Sequence, residues 1–297
     1  MTEKPRTITF RATVPLQVQF PLPDGRTLMT PPPGAPERDL KQVCEFMTTV
    51  PLSVTFPLPD GSTLVPGPLT YNTDGLATQH SAAFAAEPEF AEAYRLGVRT
   101  GHNFGDDLHI EWRVFVACWA AWHASRLDGD FVECGVNTGI LSRAVVRYLG
   151  DRRFAGRRFY LVDTYAGIPE EQLSAYERTQ NLMHYSRLFY RDCYEQVKRT
   201  FAPFPFVDVV RGKVPDILPS VAPAKVAYLS IDMNATLPEI AAGEWFWDRL
   251  VPGAVVVLDD YGGPSHDEQR RSWDAFTAQR GVKVLALPTG QGLILKS

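Results

Sequence analysis

Residues 130–139 read DFVECGVNTG, and this stretch decides the fold. A short apolar run of strand length leads into a turn with two glycines, and a helix is predicted to begin near Ile140. Gly135 and Gly139 leave room where a backbone approaches a ligand, and the amides of a helix start point at electronegative atoms. The stretch therefore predicts a ligand-binding strand, turn and helix, with an ordinary turn between strand and helix as the alternative.

Short apolar runs alternate with helical stretches from here to the C-terminus. The predicted strands are residues 131–134, 159–162, 207–210, 226–231, 254–258, 282–287 and 293–296. Continuous apolar strands separated by helices indicate a parallel sheet covered on both faces. Residues 288–292 are too few for a helical crossover, so the last two strands must pair antiparallel. We therefore predict a doubly wound, mostly parallel seven-stranded α/β sheet that ends in an antiparallel hairpin.

The N-terminal region contains an internal repeat. Residues 15–29 read PLQVQFPLPDGRTLM and residues 51–65 read PLSVTFPLPDGSTLV. Each copy has an alternating apolar run and a Pro-Asp-Gly turn, which predict a β-hairpin, and residues 39–47 are predicted to form a short helix. The favoured interpretation is a packing element against the main domain or a second subunit, and the alternative is a cover for a substrate site.

Two helices are predicted between the repeat and the sheet, over residues 87–98 and 109–127. The second has apolar residues at helical spacing, and we expect them to lie in the core: Trp112, Phe115, Val116, Trp119 and Trp122. The predicted organisation has three parts: an N-terminal extension (1–72), a helical lead-in (73–129) and a main domain (130–297).

Acidic residues follow the predicted strands at the edge where ligands bind in such sheets. Asp163 ends the second strand of the sheet, where a carboxylate can accept from both hydroxyls of a nucleotide ribose; a helix N-cap is the alternative. Thr164 follows it. Gly212 and Lys213 come after the third strand and are expected near an adenine ring. Glu133, just before the glycine turn, can accept from an ammonium group.

Three more acids end the fourth and fifth strands: Asp232, Asp259 and Asp260. Carboxylates that converge at one edge repel one another unless a positive charge offsets them. A hard divalent cation such as Mg²⁺ takes oxygen ligands and can bind a substrate hydroxyl and lower its pKa. Alternatively, Asp260 caps the next helix and Asp259 holds a loop.

The candidate catalytic residues are Asp232 and His266. His266 follows the acidic motif near a predicted helix start, which makes it a candidate general base. A surface histidine without a catalytic role is the alternative.

Four motifs taken together resemble the macrocin O-methyltransferase family. They are FVECGVNTG, FYLVDTYAGIP, LSIDMN and VVVLDDYG, and the resemblance covers residues 130–297. It implies a class I methyltransferase that uses S-adenosylmethionine and Mg²⁺, with Asp232, Asp259 and Asp260 as metal ligands, as in catechol O-methyltransferase, and with Glu133 and Asp163 as cofactor contacts. The chain departs from the family at Asn234, where the family has a second acid, and in its duplicated hairpins. A macrolide acceptor therefore does not follow.

We expect methyl transfer from S-adenosylmethionine to a hydroxyl of a small molecule, a sugar or a natural product. The alternatives are a metal-independent methyltransferase and a non-catalytic accessory protein that binds the cofactor; the glycine spacing disfavours a dehydrogenase. The residues expected to contact the cofactor are Glu133, Gly135, Asn137, Thr138, Gly139, Asp163, Thr164, Gly212, Lys213 and Asp232.

Composition excludes several other classes of partner. The formal net charge is −4 with no Lys/Arg run, which argues against nucleic acid. Apolar runs such as residues 255–258 are too short to span a bilayer, and MTEKPRTITF lacks the apolar segment of a secretory signal. Four scattered cysteines fit a reduced, cytoplasmic compartment. A homodimer is the expected assembly.

Overall fold

The computed structural model describes residues 69–101, 107–180 and 182–297, and six strands between residues 6 and 64. The chain divides into two compact units. One comprises residues 1–70 with 78–80, and the other comprises residues 71–77 with 81–297.

The first unit is built from antiparallel strands. They are β1 (Arg6–Arg11), β2 (Gln17–Pro21), β3 (Thr27–Thr30), β4 (Val43–Thr48), β5 (Ser53–Pro57) and β6 (Thr63–Leu64). The pairings of β2 with β3 and of β5 with β6 confirm the two predicted hairpins, whose turns lie outside the described residues. β2 also pairs with β5, so the two repeats form one sheet in the order β3-β2-β5-β6.

The helix predicted over residues 39–47 is wrong where the structure describes it. Val43–Thr48 is a strand that pairs antiparallel with β1, with Phe46 opposite Ile8; residues 39–42 lie outside the described part. A short apolar segment fits the residue spacing of a helix and of a strand equally well, and here the pairing with β1 decides for the strand.

The remaining strands and helices follow from residue 71 onward. The strands are β7 (Tyr71–Thr73), β8 (Leu76–Thr78), β9 (Asp130–Cys134), β10 (Phe159–Asp163), β11 (Val207–Arg211), β12 (Val226–Ile231), β13 (Leu250–Leu258), β14 (Leu285–Ala286) and β15 (Gly292–Leu295). The α-helices are α1 (Pro88–Val98), α2 (Glu111–Ala124), α3 (Ile140–Leu149), α4 (Ala175–Thr179), α5 (Leu182–Phe189), α6 (Tyr194–Phe201), α7 (Thr236–Trp247) and α8 (Asp267–Ala278).

Seven of these strands form the predicted sheet, in the order β11-β10-β9-β12-β13-β15-β14. The first five are parallel, and β15 runs antiparallel to both of its neighbours, which confirms the fold class. The chain moves outward from β9 to β11 and then returns to β12 beside β9. This switch point opens a crevice at the carboxyl ends of the strands, where ligands bind in such sheets.

The central strands are buried on both faces, as a covered parallel sheet requires. Every residue of β12 is buried. Phe131 and Tyr228 pack on one face in the same cluster as residues of α1, α2 and α3. Ile231 and Leu258 pack on the other face with residues of α7 and α8. The two faces are thus closed by helices, and the carboxyl edge is left for the site.

Helix α2 turns a different face to the core than predicted. Its buried residues are Val114, Ala117, Cys118, Ala120, Ala121 and Ala124. Trp119 and Trp122 are 42% and 38% exposed, so the prediction of a core position was wrong for both. The small side chains let the helix approach the sheet closely, and the guanidinium of Arg126 lies 3.6 Å from the Trp122 ring centroid.

The described cysteine side chains are all free. Cys118, Cys134 and Cys193 are unpaired and buried. Burial raises the pKa of the Cys134 thiol, which fits an inert apolar filler. Among the described helices, none has the length and apolar character needed to span a bilayer.

Candidate active site

A cavity of about 400 Å³ lies at the carboxyl ends of β9, β10, β12 and β13. Most of the predicted site residues line it: Glu133, Gly135, Asn137, Thr138, Asp163, Thr164, Gly212, Asp232, Asp259 and Asp260. Gly139, Lys213 and His266 are not among its lining residues. The cavity is therefore the place where the predicted motifs meet.

The glycine turn after β9 packs against protein. Gly135 and Gly139 have φ of 87° and 92°, a region that glycine enters without strain. A Cβ at Gly135 would overlap the main-chain carbonyl of Asp232, and one at Gly139 would lie 2.7 Å from the Phe201 ring. Both glycines are thus required by the packing of the turn against β12 and α6, a reason that the sequence motif alone does not supply.

Asp163 fastens this turn to the end of β10. Its Oδ2 accepts hydrogen bonds from the amides of Val136 at 2.6 Å and Asn137 at 2.7 Å. Its Oδ1 accepts from the amide of Tyr165 at 2.7 Å. Bonds from amides to a carboxylate are among the stronger hydrogen bonds in proteins. Asp163 therefore shapes the turn from the cavity wall, and its amide partners are not those of a helix N-cap.

Glu133 is a buried carboxylate at the cavity wall. It is 1% exposed, and the Ser142 hydroxyl donates to its Oε2 at 2.5 Å. Burial raises the pKa of Glu133 to about 8; the Ser142 bond opposes this, and the charges of Asp163 and Asp259 add to it. A cationic group in the cavity would stabilise the ionised form.

Of the remaining predicted cofactor residues, Thr138, Thr164 and Gly212 line the cavity, and Lys213 does not. The Thr138 hydroxyl lies 3.1 Å from that of Thr100, and the Thr164 hydroxyl donates to the Gly167 carbonyl at 2.7 Å. A Cβ at Gly212 would overlap the side chain of Ile217. Lys213 points away from the cavity and pairs with Glu171 at 2.9 Å.

The three acids predicted to bind metal do converge. Asp232, Asp259 and Asp260 each offer an oxygen within 4.8 Å of the others. Burial, together with the charges of Asp259 and Asp260, raises the pKa of Asp232 well above its usual range. Burial also raises the pKa of Asp260, whose Oδ2 has no hydrogen-bond partner among the described residues. Such a cluster can hold a cation.

Two residues that the sequence analysis missed hold Asp259. Arg113 donates to its Oδ2 at 2.8 Å and also to Asp74 at 2.7 Å. Gln291 donates to its Oδ1 at 2.8 Å. Although burial opposes it, the charges of Asp259 and Asp74 raise the pKa of Arg113. One signal was available: Arg113 is the single charged residue in the apolar run 112–122.

His266 lies next to Asp260 but outside the lining of the cavity. Its Nε2 is 3.8 Å from Asp260 Oδ2, and neither ring nitrogen has a hydrogen-bond partner among the described residues. His266 also occupies the N-cap position of α8. The ring is thus placed to interact electrostatically with the Asp260 carboxylate. A general base would have to reach the acceptor hydroxyl inside the cavity, and His266 does not line that cavity.

Tyr190 is a third residue that the sequence analysis missed. It lines the cavity just after α5. Burial and the charges of Asp232 and Asp260 raise its pKa above its usual value. The phenol therefore stays protonated and can act as a hydrogen-bond donor near the acids.

Comparison with known proteins agrees with these observations. The sequence profile of the macrocin O-methyltransferase (TylF) family matches residues 112–286. The 8-demethyl-8-(2,3-dimethoxy-alpha-L-rhamnosyl)-tetracenomycin-C 4'-O-methyltransferase of Streptomyces olivaceus is 31% identical over 147 residues, which are 46% of this chain and 55% of that protein. The chain thus spans about half the length of this relative.

Among solved structures, the O-methyltransferase NovP superposes with a TM-score of 0.53 at 19% identity, covering 62% of this chain and 79% of NovP. The calicheamicin methyltransferase CalS11 gives a TM-score of 0.45 at 14% identity, covering 61% of this chain and 77% of CalS11.

Proposed function

Because the chain belongs to the macrocin O-methyltransferase family, we propose that it transfers the methyl group of S-adenosylmethionine to a hydroxyl of a small molecule. A sugar or a natural product is the acceptor class, as the name of the Streptomyces relative suggests. The observation that carries the proposal is the division of one cavity between two sets of carboxylates. Glu133 and Asp163 line it from β9 and β10, and the three aspartates line it from the ends of the adjacent strands β12 and β13.

The cofactor is assigned to the side of β9 and β10. Glu133 would accept from the ammonium of the methionine part, a role that its burial favours. Asp163 would accept from one ribose hydroxyl at the position left on Oδ1, beside the Tyr165 amide, while its Oδ2 holds the turn through Val136 and Asn137. The wall at Gly212 would face the adenine ring. The sulfonium is already activated, so the protein's main tasks are alignment and exclusion of water.

The acceptor is assigned to the side of β12 and β13, together with Mg²⁺ or another divalent cation. The donor set fits a hard cation, because it consists of carboxylate oxygens, and one of them, Asp260 Oδ2, accepts no hydrogen bond from the described residues. Asp74 adds a fourth acid, and Arg113 bridges Asp74 and Asp259. When bound, a divalent cation would lower the pKa of the acceptor hydroxyl.

The chain's own residues would then handle the remaining steps. Asp232 lines the cavity and is the candidate to take the proton of the acceptor hydroxyl while the hydroxyl oxygen attacks the methyl carbon. The Tyr190 phenol is placed to donate a hydrogen bond and orient the acceptor. The electrons of the breaking bond between sulfur and carbon return to sulfur, so the products are a methyl ether, S-adenosylhomocysteine and one proton.

Calorimetry with S-adenosylhomocysteine tests the cofactor assignment. We expect an affinity of about micromolar or tighter. Asp163→Ala should cost roughly 1.5–3 kcal/mol of that binding through lost charge-assisted bonds. Asp208→Ala is the matched control, since Asp208 pairs with Arg158, the residue just before β10, and lies outside the cavity lining. No binding to the folded chain would refute the methyltransferase function, and unchanged affinity in Asp163→Ala would refute the ribose contact.

A metal-independent methyltransferase is the second candidate, and the contact between Arg113 and Asp259 favours it because a resident cation already offsets part of the cluster's charge. Turnover in excess chelator distinguishes the two. Persistent turnover supports this second candidate, and loss of turnover that added Mg²⁺ restores supports the first.

A further inference from the structure

Asp259 is held from both sides by groups outside the acidic motif. Gln291 donates to Oδ1 and Arg113 donates to Oδ2, each at 2.8 Å. The carboxylate is 8% exposed. Donors on both oxygens of a buried carboxylate fix its plane. Each oxygen has two acceptor positions, so one on each remains for another partner.

Gln291 is itself held in one orientation. Its side chain is fully buried, and the Thr289 hydroxyl bonds to its Oε1 at 3.0 Å. The amide nitrogen also lies 3.4 Å from the main-chain carbonyl of Arg113. An oxygen that accepts from Thr289 requires the NH₂ group to face Asp259, so the network assigns the amide orientation.

The loop that carries Gln291 is tied to the turn that follows the acids. The amide of Gly262 donates to the carbonyl of Gly290 at 2.6 Å. The amide of Leu287 donates to the carbonyl of Gln291 at 2.8 Å. The hairpin between β14 and β15 thereby supports the end of β13, although it lies beyond the family match, which ends at residue 286.

We propose that Gln291 is a positioning residue that aims Asp259 at a bound divalent cation. The proposal rests on the metal-dependent form of the proposed function. Partners that orient a metal ligand commonly contribute as much to affinity as a weak ligand does. Gln291 is neutral, so its replacement changes the geometry of the cluster and leaves its charge unchanged, which a change at Arg113 would not do.

The test is a titration of the full chain with Mn²⁺, in which free Mn²⁺ is measured by electron paramagnetic resonance. Gln291→Met keeps side-chain length and burial and removes the donor. We expect Mn²⁺ to bind about 10–100-fold more weakly than to the wild type. Binding of S-adenosylhomocysteine should stay within about twofold, because the side chain of Gln291 bonds to Thr289, Arg113 and Asp259, which lie away from the cofactor side.

The matched control is Gln269→Met. Gln269 is also a buried glutamine, 1% exposed, and it donates to a buried carboxylate, Glu239, at 2.9 Å. Glu239 does not line the cavity. This variant should lose stability comparable with that lost by Gln291→Met and should retain wild-type Mn²⁺ affinity.

Four outcomes are decisive. Equal Mn²⁺ affinity in wild type and Gln291→Met overturns the inference and leaves the metal-dependent function standing. An equal loss in Gln269→Met also overturns it, because the effect would then be general loosening. No Mn²⁺ binding by the wild type overturns the metal-dependent function and this inference together. If Gln291→Met does not fold, Thr289→Val, which frees the amide without removing it, should weaken Mn²⁺ binding in the same direction, and unchanged binding there overturns the inference.

Discussion

The two sides of the cavity hold their acids in different ways. On the cofactor side, Asp163 and Glu133 bond to Val136, Asn137 and Ser142, all within one unit of strand, turn and helix. On the acceptor side, Asp259 bonds to Arg113, 146 residues earlier, and Gln291, 32 residues later. The acids of the cofactor side belong to the first two sequence motifs, and their partners lie in the first motif and the helix that follows it, although 26–27 residues separate Asp163 from its amide partners. On the acceptor side, Arg113 and Gln291 lie outside the motifs, so they can be changed without touching the motifs.

The largest expected effect separates the two sides through Asp259→Asn. This variant should reduce turnover by at least about a hundredfold, because an amide is a poor ligand for a divalent cation and a weak partner for Arg113. Affinity for S-adenosylhomocysteine should change by less than about threefold. Turnover and calorimetry on the same preparation make the measurement.

Asp216→Asn is the control for this change, since Asp216 lies at the surface beside Lys213. Asp232→Asn provides a second test of the acceptor side, with some loss of cofactor affinity because that strand end borders both ligands. A parallel loss of turnover and cofactor affinity in Asp259→Asn would contradict the division of the cavity.

A second variant acts on the boundary between the two sides. In Gly135→Ala, the new Cβ would overlap the main chain of Asp232, and the residue would be held at a φ of 87°. We expect a loss of at least about 3 kcal/mol in the free energy of unfolding. Gly156→Ala has a similar φ of 77° with open space around the Cβ, and it should lose about 1–2 kcal/mol. Urea denaturation compares the two; equal losses would show that backbone strain alone decides.

A third prediction uses the titration of Glu133, which belongs to the cofactor side alone. Burial raises the pKa of Glu133 to about 8, so below that pH it holds a proton that a bound ammonium would expel. Affinity for S-adenosylhomocysteine should therefore rise about tenfold per pH unit toward that pKa and level off above it. Calorimetry in buffers of different ionisation enthalpy should show release of nearly one proton.

Glu133→Gln should flatten this pH dependence. Glu239→Gln should not, although burial raises the pKa of Glu239 to about 8 as well. If both variants keep the slope, another group is responsible for it.

The smallest expected effect concerns the duplicated hairpins. Deletion of residues 1–69 should change affinity for S-adenosylhomocysteine by less than about twofold, since every residue assigned to the cofactor lies after residue 130. A cut at residue 73 would be too late, because Tyr71 packs edge-on against Trp112 with ring centroids 5.3 Å apart. Calorimetry on the shortened, folded chain is the measurement, and a large loss would assign the first unit to the cofactor site.

The sequence predicted the features that depend on local apolar patterns and on the general geometry of a parallel sheet. The strands of the sheet, its terminal antiparallel hairpin and the convergence of three aspartates follow from apolar runs, from the short last loop and from the shared edge of parallel strands. The burial of Trp119 and the helix at residues 39–47 failed because packing against other elements decided them. Gln291 gave no signal, since a lone glutamine in a loop has no distinguishing neighbours. Arg113 was visible only as a charge that needed a partner, and the partner's identity required the fold.

The salt bridge between Asp74 and Arg113 has a consequence for exchanging methyltransferase domains between enzymes. The family match begins at residue 112 and so includes Arg113, while Asp74 lies 39 residues earlier, in the turn between β7 and β8. A graft cut at the family boundary would carry a half-buried guanidinium without one of its two carboxylates. That side chain would then be free to shift toward the remaining acids and compete with a cation for them. The smallest transplantable piece of this protein therefore begins at Tyr71.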